Sequence, residues 1–106
     1  MERTPEEKME IANTILAQLG GGKFKVMTGA KHIFAIESGL SFKIPGTYTK
    51  HHINFVQILL EPSDTYRMKF YKVRVREVRL MAEHSMIYDD MLQRIFTAET
   101  GLDTHL

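Results

Sequence analysis

Between Tyr66 and Arg79 six cations, Arg67, Lys69, Lys72, Arg74, Arg76 and Arg79, are interleaved with Tyr66, Phe70 and Tyr71. Successive side chains of a strand point to opposite faces, so Arg67, Lys69 and Tyr71 share the face opposite Met68 and Phe70. With Arg74 and Arg76 beside them on a neighbouring strand, such a face can hold phosphates through guanidinium and ammonium groups and stack a base on Tyr71. The expected contacts are therefore Arg67, Lys69, Tyr71, Arg74 and Arg76. The same residues also suit a solvated sheet face or a guarded edge, because Lys and Arg line both whatever the function.

Other chemistry-bearing residues carry less. His51 and His52 are adjacent, and with His32 or His84 they make a metal site only if a third ligand arrives from elsewhere. No pair of histidines stands one helical turn apart in a His-x-x-x-His pattern, so no metal ligand is assigned. Asp89 and Asp90 follow one another on an expected helix and point about 100° apart. Glu61 and Asp64 flank the turn residues Pro62 and Ser63. Helix-end electrostatics and turn formation account for these two pairs. Gly20, Gly21 and Gly22 follow a helix where a phosphate loop would follow a strand, and no Gly-Lys-Ser/Thr ending is present. Met68, Met81, Met86 and Met91 read as adaptable core. No catalytic residue, metal or cofactor is assigned.

The elements that position these residues follow from periodicity. Thr4-Pro5-Glu6-Glu7 has the form of a capping box, and Ile11, Ala12, Ile15, Leu16 and Leu19 recur at helical spacing. A helix is expected from about Pro5 to Leu19, ended by the glycines. Phe24 and Val26 alternate with Lys23 and Lys25, which predicts a half-buried strand. His32 to Ile36 and Leu40 to Ile44 read as a hairpin around Glu37-Ser38-Gly39. Pro45 to His52 reads as a long surface loop, Ile53 to Leu60 as a central strand, and Glu61 to Asp64 as a turn. Tyr66 to Tyr71 and Val73 to Ala82 make an antiparallel pair with no Gly, Pro or Asn to mark its turn. From Ser85 a closing helix is expected, with Tyr88, Met91, Leu92, Ile95 and Phe96 on one face and Gly101 as its stop. The reading is one α+β domain over residues 1–106: an N-terminal helix, an antiparallel sheet of about five or six strands and a C-terminal helix, with both helices on one sheet face.

Composition narrows the classes. The 106 residues suit a single core, and the absence of cysteine excludes disulfides, thiolate nucleophiles and cysteine zinc sites. Met1 to Glu7 is acidic and polar where a secretory signal needs an apolar stretch, and the longest apolar run, Ile53 to Leu60, is too short to span a bilayer. A cytoplasmic protein without a membrane partner is expected. A formal net charge of +1 means that any electrostatic partner meets a local patch and not a whole-molecule field.

The segments Ala17 to Phe24, Met27 to Lys31 and Gly39 to Phe42 resemble, in order, the opening of a family of small phage- and mobile-element-encoded orphan proteins of unknown function. Asp64-Thr65-Tyr66, Met68-Lys69-Phe70, Tyr88, Ile95 to Leu102, Thr104 and Leu106 resemble its closing pattern. His51-His52 and Val73 to Ser85 depart from it. The resemblance implies a phage, prophage or plasmid origin and residence in a bacterial host cell, and it supplies no catalytic residues. Together these readings lead to the expectation of a non-enzymatic accessory protein that binds nucleic acid or a host or phage nucleoprotein. The alternatives are an inhibitor of a host-defence protein (anti-CRISPR-like) or of a replication protein, in one form a homodimer built on a strand edge, and a small metal-dependent hydrolase whose groups only folding assembles.

Overall fold

The computed structural model describes residues 3–47 and 49–104. Tyr48 of the expected loop and Leu106 of the closing pattern lie outside them. Helix α1 spans Pro5–Leu19; the Thr4 hydroxyl accepts from the Glu7 amide at 3.2 Å, and Gly20 ends the helix at φ 126°. Its stripe of Ala12, Ile15 and Leu19 is buried.

Lys23 to Val26, expected as a strand, belong instead to a second short helix, α2, over Gly22–Thr28. Four alternating residues do not separate the two periods, and burial decides: Phe24 and Thr28, one turn apart, are buried while Val26 is 83% exposed. The Thr28 hydroxyl closes that turn by donating to the Phe24 carbonyl at 2.6 Å.

Among the described residues five strands follow: β1 (Lys31–Ile36), β2 (Gly39–Lys43), β3 (Phe55–Leu60), β4 (Tyr66–Arg74) and β5 (Glu77–Ile87). Each pairs antiparallel with its neighbour in sequence, giving the spatial order β1-β2-β3-β4-β5. The hairpin between β4 and β5 turns through Val75 and Arg76 alone, with Arg74 opposite Glu77. Neither turn residue has a positive φ, so the turn requires no Gly, Asn or Asp.

The closing helix begins later than expected. Ser85 to Ile87 still belong to β5, a 3-10 turn covers Asp89–Met91, and α3 spans Leu92–Thr100 before Gly101 at φ 79°. Tyr88, expected on the buried face, is exposed.

One core joins all of this. Leu40, Phe42, Val56, Ile58, Met68 and Phe70 line the inner face of the sheet and meet Ala12, Ile15 and Leu19 of α1, Phe24 of α2, and Leu92 and Phe96 of α3. At its centre Phe24 lies edge-on to Phe42 and Phe96, with ring centroids 5.3 and 5.2 Å away. The fold is thus α+β with its helices on one face of the sheet. Among the described residues no helix is long and apolar enough to cross a membrane.

Candidate nucleic-acid interface

Because the helices share one side, the other face of the sheet is left open. The register builds it in rows. One row runs Lys43, Phe55, Tyr71, Leu80 across β2 to β5, and the next runs Phe34, Ser41, Gln57, Lys69, Glu83 across all five strands. The Phe55 and Tyr71 rings meet edge to face with centroids 6.0 Å apart, and the Tyr71 hydroxyl donates to Gln57 Oε1 at 3.4 Å. A shallow hollow of about 380 Å³ lies here, lined by Lys43, Phe55, Gln57, Tyr71, Val73 and Val78. It offers two π surfaces, an ammonium group and the NH₂ of Gln57 as a donor, which are the groups that stack a base and reach its edge.

The five residues singled out in the sequence do not form one surface. Arg67, Lys69 and Tyr71 alternate with buried Met68 and Phe70 and so lie on the open face. Arg67 is neutralised there: its Nε donates to Glu61 Oε1 at 2.6 Å and its Nη1 to Glu83 Oε2 at 2.7 Å, and these carboxylates, Glu61 first, hold its pKa above the ordinary value. Arg74 ends β4 on the side opposite Tyr71 and Val73, and Arg76 sits in the turn. Neither lies beside Arg67 on a neighbouring strand, because the chain reverses at Val75-Arg76 and not before Val73.

Lys43 and Phe55 escaped the sequence reading. Their neighbours in the row become visible only once the register of β2, β3 and β4 is known; alternation alone set Lys43 opposite Phe42 and Ile44, whereas the apolar run Ile53 to Leu60 gave Phe55 no side.

The histidines are dispersed. His84, on β5, pairs with Glu99 of α3 at 2.9 Å. His51 and His52 lie in the 3-10 turn Lys50–His52, where both adopt positive φ, 55° and 57°. That turn is fastened at two points. The Thr49 hydroxyl donates to the Ile53 carbonyl at 2.6 Å, and Lys50 Nζ donates to the Ala98 carbonyl in the last turn of α3 at 2.9 Å. A cation there also favours the helix dipole. Among the described residues no three His, Asp or Glu side chains converge.

No family profile, curated protein or solved structure matches the chain. What the open face can do must be read from its own groups.

Both sheet edges are blunted. β5 carries two register shifts against β4, one between Tyr66 and Met68 and one between Phe70 and Tyr71, and β1 shifts against β2 between Lys31 and Phe34. Bulges twist an edge away from pairing with another strand.

Proposed function

We propose that this protein binds single-stranded nucleic acid on the open face of its sheet, as a non-enzymatic accessory protein of a phage or other mobile element. The observation that carries this reading is the cross-strand row Lys43-Phe55-Tyr71, two aromatic rings next to a cation on a face that no helix covers. Single strands suit such a face because unstacked bases can lie on aromatic rings while the backbone follows cations. Lys69 lies in the adjoining row, and Arg76 extends positive charge to the hairpin tip. The mobile-element origin rests on the sequence resemblance alone.

The test is a titration of labelled single- and double-stranded DNA and RNA at about 50 and 200 mM salt, a range over which phosphate-driven binding falls steeply. Salt-sensitive preference for single strands is expected. Replacing Tyr71 by Ala removes one stacking surface, worth about 1–3 kcal/mol, or roughly 5- to 150-fold in affinity. Absence of binding at low salt by folded protein overturns the reading.

A second reading draws on a different observation: Phe34, Val78 and Leu80 on the same face are 61%, 67% and 48% exposed. Exposed apolar groups gathered on one face mark protein contacts. A host-defence or replication protein, a nucleoprotein, or a second copy of this chain would then be the partner. Capture of a defined partner that survives nuclease and high salt, and fails with Leu80→Glu, favours it.

A further inference from the structure

The aromatic hollow does not end at Val73. A second hollow, of about 190 Å³, shares Lys43, Phe55 and Val73 with it and continues to Ile44, Gly46 and Asn54. A third, of about 440 Å³, shares Gly46, Asn54 and Val73 with the second and ends among Thr47, His52, Lys72 and Arg74. The three hollows share walls in series, from Phe55 and Tyr71 on the open face, past Asn54 just ahead of β3, to Lys72 and Arg74 on the opposite side of β4.

The two ends differ in chemistry. The first is lined mainly by rings and aliphatic groups. The far end carries Lys72, Arg74 and His52 and, among the described residues, no carboxylate. Neither Lys72 nor Arg74 forms an ion pair among the described residues, and Glu77, opposite Arg74, pairs instead with Arg79 at 2.8 Å. His52 Nδ1 lies 3.2 Å from the Gly46 carbonyl, which can only accept, so Nδ1 carries a hydrogen, and Nε2 faces outward as a lone pair that a P–OH can meet or, in the imidazolium, as a second N–H donor. Asn54, between the two ends, spends its amide on the backbone of Val73 and holds the groove's wall.

We propose that the His52-Lys72-Arg74 end of this groove takes the phosphate monoester of a nucleotide whose base occupies the hollow at Phe55 and Tyr71. A phosphate monoester carries up to two negative charges and three acceptor oxygens, which a guanidinium, an ammonium and an imidazolium match as donors. A free mononucleotide and the phosphorylated end of a strand present this same group. The inference rests on the open-face reading and adds an end-recognition site to it.

The experiment is calorimetric titration with a nucleoside, its 5′-monophosphate, its 3′-monophosphate, inorganic phosphate, and short oligonucleotides with and without a terminal phosphate, against the native chain and a Lys72→Ala/Arg74→Ala variant whose folding is checked by circular dichroism. At least one monophosphate is expected to bind tenfold or more tightly than its nucleoside, and the double variant to lose that gain while keeping the nucleoside's affinity. If the gain appears for monophosphates and not for strands, the ligand is a free nucleotide; if also for phosphorylated strands, it is an end. Equal affinity of nucleoside and both monophosphates overturns the proposal. Should oligonucleotides then still bind in a manner sensitive to Tyr71→Ala, only the phosphate site falls; if no oligonucleotide binds, the open-face reading falls with it.

Discussion

Asn54 holds Val73 by both of its backbone polar groups: Oδ1 accepts from the Val73 amide at 2.8 Å, and Nδ2 donates to the Val73 carbonyl at 2.9 Å. Its own amide meanwhile donates to the Tyr71 carbonyl at 3.0 Å, so a side chain just ahead of β3 continues the β3-β4 ladder by one further step. Asn54→Ala removes both side-chain bonds and leaves half-buried backbone groups to find water, a loss of about 1–3 kcal/mol. Chemical denaturation gives that figure, and hydrogen exchange at Val73 is expected to quicken first. Asn54→Asp keeps the acceptor and loses the donor, and falls between the two.

Gly39 is opposite Leu59 in the β2-β3 ladder, and a Cβ there would lie 1.9 Å from the Ile58 carbonyl oxygen. No side chain fits without moving β3, and β3 is the middle strand. Gly39→Ala is expected to lower stability by several kcal/mol, on the order of the larger single-residue effects. An unchanged melting temperature would contradict this close approach.

His51 sits at φ 55° with an exposed side chain that does not line the groove. Left-handed backbone costs a non-glycine residue about 1–2 kcal/mol. His51→Gly relieves that strain, partly offset by the greater freedom of glycine in the unfolded chain. A net gain of up to about 1 kcal/mol in denaturant titrations, with nucleic-acid affinity unaltered, is the expected outcome. The same change at His52 removes a proposed ligand and so must weaken phosphate binding.

Glu37, at the β1-β2 turn, accepts from the Arg3 amide at 3.0 Å and pairs with Lys8 Nζ at 3.0 Å. The Arg3 bond first, and Lys8 second, hold its carboxyl below the ordinary 4.5. A depressed folded pKa means that its stabilisation is complete above the unfolded value and disappears as pH falls through the folded one. Glu37→Gln is therefore expected to melt slightly lower than the native chain at pH 6 and to converge with it near pH 3. Because the group is open to solvent, added salt narrows the gap.

The legible parts of the fold are those where one local signal acts without competition. α1 carries its own cap, stripe and stop, and its bounds match the expected Pro5 to Leu19. The central place of β3 was evident from its nearly continuous apolar run, broken within the strand by Gln57 alone, since a strand covered by neighbours tolerates one. α2 was read as a strand because Lys23 to Val26 is too short for either period to assert itself, and only the burial of Thr28 reveals the helix. The end of β5 was obscured by Met86 at φ 56°, where the strand shifts register and the alternation breaks before the chain leaves the sheet. The site was legible in part. The alternation of Arg67, Lys69 and Tyr71 was sound, whereas the fate of Arg67 depended on two glutamates, one just past the end of β3 and one in the middle of β5, which no local pattern encodes.

The order of the sheet bears on how the groove is made. Every residue of the proposed base and phosphate sites lies between Lys43 and Val78, in strands that pair with their sequence neighbours or, for Gly46, Thr47 and His52, in the connection from β2 to β3, so a chain emerging from a ribosome holds all of them before α3 is made. α3 follows all of them in the chain, and it is the carbonyl of Ala98 that receives Lys50 and steadies the turn bearing His52. Docking of α3 therefore does two things at once: it completes the core through Leu92 and Phe96 and fastens the turn that carries the proposed phosphate ligand His52.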